Sequence, residues 1–369
     1  MPLDNIFSFL LIFIILSSCD KDDPDSIVSL PTNLEAFYAL DEEGLATFEL
    51  SADNANFYSL SINEDTEDTY IEDFEGVFTY EFSSSGDHEV IARAHSSSAD
   101  FIEENLTISL DLDDGTPQEG PPNSGYETAL SYPNYNLVWN DEFDGNSLSS
   151  DWANEIGTGN NGWGNNELQF YRAENTHVGN GVLTITAKTE LFNGMTYTSS
   201  RIKTQGMKSF RYGRVDIRAA LPFGQGVWPA LWMLGDNFST VGWPACGEID
   251  IAEMVGGAGN RNSTVHGTIH WQQSGSHAEF GNSYTINNGI LADNWHVYSI
   301  VWDENKIEWY IDDIKYNEVD ITPSELSEFH ENFFFIMNVA VGGNWPGSPD
   351  LTTQFPQRMF VDYIRVFQQ

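Results

Sequence analysis

The stretch WPACGEIDIAEM, residues 243–254, sets three carboxylates, Glu248, Asp250 and Glu253, within six residues. Apolar Ile249, Ile251 and Ala252 stand between them. Successive side chains of a strand point to opposite faces, so Glu248 and Asp250 share one face and the isoleucines take the other. Regular alternation would send Glu253 to the isoleucine side, and an unpaired carboxylate in a core is very costly. A β-bulge at about Ile251–Ala252, with Ala252 as the extra residue, returns Glu253 to the face of the other acids. Like charges that close raise one another's pKa, and a general acid needs a raised pKa. Two carboxyls flanking a sugar linkage, one attacking and one protonating, are the equipment of a retaining glycosidase. Glu248 and Glu253 are the candidates for those two tasks, with Asp250 orienting them. The competing reading is a solvated strand in an acidic chain.

These acids need elements to hold them. Of 369 residues, 40% are hydrophobic, enough for a sizeable core, and the formal net charge is −41. Such a polyanion repels nucleic acid and anionic lipid headgroups. The charge is uneven: Asp20 to Glu127 holds 28 Asp/Glu against Lys21 and Arg93, whereas Ala129 onward holds 27 against 13 basic residues. All 11 Trp lie between Trp139 and Trp345. A very acidic, Trp-free front and a Trp-rich back read as two domains. In the front, ATFELS, NFYSLSI, GVFTYEFS, HEVIARAH and NLTISLDL alternate apolar and polar residues, which predicts a small immunoglobulin-like β-sandwich over residues 26–112. In the back, GVLTITAKT, GRVDIRAAL, HVYSIVWD, KIEWYID, FFFIMNVAV and MFVDYIRVF are strand-like. Apart from a turn at PSELSEF there is no helical periodicity. An all-β fold follows, two large antiparallel sheets in a β-jelly-roll (concanavalin-like) sandwich over residues 135–369. Residues 113–134, rich in Pro, Gly, Asn and Asp, are expected to be a linker.

The apolar run IFSFLLIFIIL, residues 6–16, is too short to span a bilayer and suits the core of a signal peptide. No Lys or Arg precedes it. LSSC follows, ending at Cys19, and resembles a bacterial lipobox. Residues 1–18 would be the signal, Cys19 the lipidated residue, and the acidic stretch 19–25 a surface-export tether. The expected location is then the outer membrane or cell surface of a Gram-negative bacterium, with the protein a monomer. Cys246 is the other cysteine and reads as a small buried residue.

GEIDIAEM is similar to the active-site strand of glycoside hydrolase family 16, in its E-x-D-x-x-E form. WNDEFDG, NNELQFY, SSRIKT, YGRVDIRAALP, GVWPALWML, HGTIHW, GGNWPG and DYIRV follow in family order and resemble the laminarinase branch. The front module has a looser likeness to PKD-type domains, carried by YEFSSSGDHEVIARA, and is expected to be a spacer.

The resemblance implies an open cleft on the concave face, with Glu248 as nucleophile, Asp250 its hydrogen-bonding assistant and Glu253 the acid/base. Trp228 and Trp232, four apart on a strand, share a face, and with Trp243 and Trp345 are expected to stack on sugar rings. Asn166 and Arg201 match residues that bind sugar hydroxyls, and His270 matches a position near the acid/base. Trp139, Trp295, Trp302 and Trp309 are assigned to the core, and His266, His296 and His177 get no role. No cofactor is needed for catalysis. A structural Ca²⁺ is implied on the convex side, with Glu142, the Gly181 carbonyl and Asp362 as ligands. The implied activity is endo-hydrolysis of β-1,3 bonds in laminarin-like β-glucan. The alternatives are a mixed-linkage β-glucan or a marine galactan, or a non-catalytic glycan-binding lipoprotein.

Overall fold

A computed structural model describes residues 29–40, 45–64, 67–82, 86–110 and 120–369. The stretches read as a signal peptide and an acidic tether, with Cys19, lie outside these residues. The chain forms two compact units, one within residues 29–110 and one from residue 120 onward.

The front unit has two antiparallel sheets. Thr32–Leu40, Leu45–Asp53 and Val77–Glu81 form one. Glu67–Asp73, Phe57–Glu64, Gly86–His95 and Phe101–Leu110 form the other, in that order. Alternate residues of these strands, Phe48, Leu60, Phe78, Val90 and Ile108 among them, make its core. The sequence patterns locate five strands and miss Thr32–Leu40 and Glu67–Asp73. The first is mostly exposed along its length, and the second, EDTYIED, is mainly charged. Neither carries the apolar alternation that a buried face imposes.

The back unit is a two-sheet jelly roll. One sheet of ten strands contains the run of antiparallel neighbours Val182–Phe192, Gln357–Gln368, Gly213–Ala220, His296–Trp302, Lys306–Ile311 and, at its edge, Ile314–Asp320. The other has seven strands, in the order Ser276–Thr285, Thr264–Gln273, Glu248–Glu253, Val227–Gly235, Phe333–Val341, Arg201–Lys203 and Ala153–Glu155. Their facing sides form one continuous core that includes Ile217, Leu231, Ile249, Ile251, Trp309 and Met337. The four Trp assigned to the core are all buried. PSELSEF becomes a 3₁₀ helix over Ser324–His330.

The stretch read as a linker is, in its second half, bound to this sandwich. The Trp295 indole N–H donates to the Pro122 carbonyl, the Tyr126 hydroxyl to Asp313, and the Tyr132 hydroxyl to buried Asp216. Gly125 makes a β-bridge with Trp295. Proline and glycine content marks irregular backbone, but irregular backbone can still be packed.

The bulge lies where the alternation fails. Against Val227–Gly235, Asp250 faces Trp232, Ala252 faces Leu231 and Glu253 faces Ala230. The residue skipped is therefore Ile251, whereas the sequence reading chose Ala252. Against Thr264–Gln273, Asp250 faces Thr268 and Glu253 faces His266, so Ile251 and Ala252 share Gly267. Both are fully buried, because in a bulge two successive side chains can lean into the core. A bulge leaves ladder groups unpaired. Here the Trp309 indole N–H donates to the Asp250 carbonyl at 2.8 Å, and the Tyr316 hydroxyl reaches the Ile251 carbonyl at 3.5 Å. Gly267 makes room for this: a β-carbon there would lie 2.5 Å from the Trp309 ring and 2.6 Å from the Tyr316 hydroxyl.

Overpacking a tight core costs about 1–3 kcal/mol. Gly267→Ala is therefore expected to lower unfolding stability by about that amount, by displacing Trp309 from the bulge. Chemical denaturation measures it. An unchanged midpoint would show that Trp309 does not press on this backbone.

Candidate active site

The outer face of the seven-stranded sheet is an open cleft of about 930 Å³. Strand alternation builds its floor. Glu248, Asp250 and Glu253 come from one strand, Trp228 and Trp232 from one neighbour, His266, Thr268 and His270 from the other, and Asn338 from Phe333–Val341. Trp243 and Trp345, both exposed, stand on loops at the rim.

Each acid has a distinct setting. Glu253 is almost buried and accepts a hydrogen bond from the Trp228 indole N–H at 3.0 Å. Burial, and then the charge of Asp250, hold its pKa well above the usual carboxylate value, against the pull of that hydrogen bond. Burial and then Asp250 also raise Glu248. Asp250 is raised by burial first and by Glu279 second. His270 Nε2 lies 3.1 Å from Asp250 Oδ2 and 3.8 Å from Glu248 Oε1. A row of desolvated acids with one ring beside it can hold a proton on one member and negative charge on another.

Arg201 lies between the rings of Trp163 and Trp232, its guanidinium 4.4 and 4.8 Å from their centroids. It donates to Glu155, as does Lys203. Burial alone would raise the pKa of Glu155, but the two cations outweigh it and hold the carboxyl below its usual range. Trp232 donates its indole N–H to Asn338 at 2.8 Å. Trp345 meets Trp228 edge-on at 5.6 Å. Trp228, Trp232, Trp243, Trp345 and Arg201 all line the cleft.

Other assignments shift. Asn166 is exposed, does not line the cleft and donates to Asn344 at 2.9 Å. Asn165 and Trp163 line it instead. In this loop Asn161, Trp163 and Asn166 all have left-handed backbone, with φ of 51°, 55° and 57°, so strand parity does not say which asparagine points inward. His270 sits against Asp250 and Glu248, because its register partner is Glu248. The histidine beside Glu253 is His266, whose ring meets Trp345 edge-on at 5.0 Å. Nothing in the sequence except the register across the bulge distinguishes the two.

The implied calcium ligands are otherwise engaged. Arg365 donates to both oxygens of Glu142, at 2.9 and 2.8 Å, and Arg218 donates to Asp362 at 2.7 Å. Two carboxylates each matched to a guanidinium are not a preformed hard-cation site, so the side chains as arranged do not fit one.

The sequence profile of Glycosyl hydrolases family 16 matches residues 163–365. A second profile, Beta-glucan synthesis-associated protein SKN1/KRE6/Sbg1, matches residues 76–249. The clotting factor G alpha subunit of Tachypleus tridentatus is 46% identical over 239 residues, which are 64% of this chain and 34% of that subunit. This chain therefore spans about a third of the subunit. The beta-glucanase of Rhodothermus marinus is 40% identical over 257 residues, covering 66% of this chain and 89% of that enzyme. The laminarinase catalytic domain of Thermotoga maritima MSB8 superposes with a TM-score of 0.59 at 44% identity, over 64% of this chain and 99% of that domain. The profile match covers more than half of the chain and includes the acidic strand: the chain belongs to glycoside hydrolase family 16 and is a glycoside hydrolase.

Proposed function

We propose that the enzyme cleaves internal β-1,3-glucosidic bonds of a neutral, laminarin-like β-glucan with retention of configuration. The observation that carries this reading is the composition of the cleft. Five Trp side chains line it, Trp163, Trp228, Trp232, Trp243 and Trp345, and its two Lys/Arg residues, Arg201 and Lys203, are both tied to Glu155. Aromatic faces stack on the C–H faces of sugar rings, whereas a sulfated chain needs unpaired cations to offset its charge. The likeness to a laminarinase domain over nearly its whole length supports the β-1,3 linkage.

In the first step an ionised Glu248 oxygen bonds to the anomeric carbon while Glu253 gives its proton to the departing glycosidic oxygen. The C–O bond breaks, and the electron pair leaves with that oxygen as a hydroxyl. In the second step Glu253, now a carboxylate, takes a proton from water. The water oxygen bonds to the anomeric carbon and the ester to Glu248 breaks. Asp250 between them keeps negative charge near Glu253 before the first step, which favours the protonated acid. Burial excludes the water that would otherwise screen these charges.

Incubation with laminarin, lichenan, agarose and carrageenan, with assay of new reducing ends, tests the substrate. Release from laminarin is expected, and Glu248→Ala is expected to abolish it while far-ultraviolet circular dichroism stays unchanged. Glu253→Ala is expected to lose about 10²–10⁴-fold in rate. Faster cleavage of either galactan, or wild-type turnover by Glu248→Ala, would contradict the proposal.

The pH profile offers a separate check. The Trp228 N–H stabilises ionised Glu253 and so lowers its pKa. Trp228→Phe removes that donor and keeps a ring for stacking. Glu253 then keeps its proton to higher pH, so the basic limb of kcat/KM is expected to move upward. A downward shift would contradict Glu253 as the acid.

A further inference from the structure

Beside the catalytic trio, the hairpin of Thr264–Gln273 and Ser276–Thr285 gathers three further side chains. His270 faces Glu279 across the hairpin, and Gln272 faces His277, so His270, His277 and Glu279 share the cleft face. His270 Nδ1 and His277 Nε2 share a hydrogen bond of 2.9 Å, whose proton a bound ion would displace, and they lie 3.5 and 3.8 Å from Glu279 Oε2. The nearest point equidistant from three atoms at these separations lies in their plane about 2.0 Å from each, close to the length of zinc–imidazole and zinc–carboxylate bonds. We propose that His270, His277 and Glu279 bind a zinc-class divalent cation at the edge of the cleft, and that the bound ion inhibits hydrolysis.

A second feature points to the same ligand. The other ring nitrogen of His270 lies 3.1 Å from Asp250 Oδ2, a buried oxygen with no hydrogen-bond partner among the described residues. A metal-bound imidazole almost always gives its remaining N–H to a carboxylate or a carbonyl, which fixes the tautomer. As the ring stands, His270 Nε2 and Asp250 Oδ2 are near but not aligned as a hydrogen bond; a turn of the His270 ring would let Asp250 hold the proton on Nε2 and leave the Nδ1 lone pair for an ion. His277 can free its Nε2 by carrying its proton on Nδ1. Two nitrogens and one oxygen suit zinc or copper, whereas calcium and magnesium prefer six or more oxygens.

Inhibition follows from position. His270 Nε2 is 3.8 Å from Glu248 Oε1, and the His277 ring packs on Trp243 at 4.7 Å. A dication there would hold electron density on the nucleophile and occupy the wall that a sugar ring would pass. The inhibition rests on the function proposed above, whereas the binding does not.

Calorimetry on the full chain, stripped with EDTA, dialysed and titrated with zinc chloride in excess magnesium, tests the site. Magnesium saturates weak sites on the acidic surface. One zinc per chain is expected, with at least tenfold weaker binding in His277→Ala, a smaller loss in Glu279→Gln, and about 10–100-fold weaker binding in Asp250→Asn. Circular dichroism checks that each variant is folded. In the activity arm, zinc inhibits the wild type on laminarin and EDTA restores it, while the activity of His277→Ala does not change with zinc. Absent one-to-one binding, or wild-type affinity in both His277→Ala and Glu279→Gln, would overturn the site. Binding without inhibition would overturn the inhibitory role.

Discussion

One strand must expose three carboxylates on one side while its other side lies in the hydrophobic core, and the rest of the structure depends on that constraint. Regular pleating cannot satisfy it, because Glu253 would point at Trp309 and its neighbours. The skipped residue Ile251 resolves the conflict. The carbonyls it leaves are met by Trp309 and Tyr316, both from the opposite sheet. Gly267, without a side chain, lets those rings come close enough. The bulge is thus held from behind by the core.

The same constraint sets the electrostatics. Burial is the first cause of every upward shift among these three acids, and the charge of Asp250 adds to it at Glu248 and Glu253. The surroundings divide this cost unequally. Glu253 receives one N–H from Trp228, while Glu248 has His270 within 3.8 Å. The nearby cations are spent on Glu155, which keeps the cleft negative or neutral. A site so arranged favours a neutral polymer over an anionic one.

Much of this was legible in the sequence, and the reasons are local. Strands buried along their length, such as HVYSIVWD and FFFIMNVAV, declare themselves through their apolar residues, and the bulge declares itself as a failure of alternation in GEIDIAEM. Edge strands do not, which is why Thr32–Leu40 and Glu67–Asp73 escape notice. Loop residues are harder still: Asn165 and Asn166 differ by one position, and left-handed backbone between Asn161 and Asn166 decides which enters the cleft. His266 and His270 are told apart only by pairing across the bulge. Glu155, which neutralises Arg201, lies on a three-residue strand whose partner is some 46 residues on in the chain, and no short-range pattern joins them.

The central claim is that the bulged strand presents Glu248 for attack, with Glu253 on the same face to supply the proton. Its most direct test is covalent capture with a 2-deoxy-2-fluoro β-1,3-glucoside bearing a good leaving group, followed by digestion and mass spectrometry of the labelled peptide. The account predicts one sugar per chain, attached to Glu248 and released on adding a glucan acceptor. Label on Asp250 or Glu253 would contradict it, as would turnover that leaves no adduct and gives the inverted anomer.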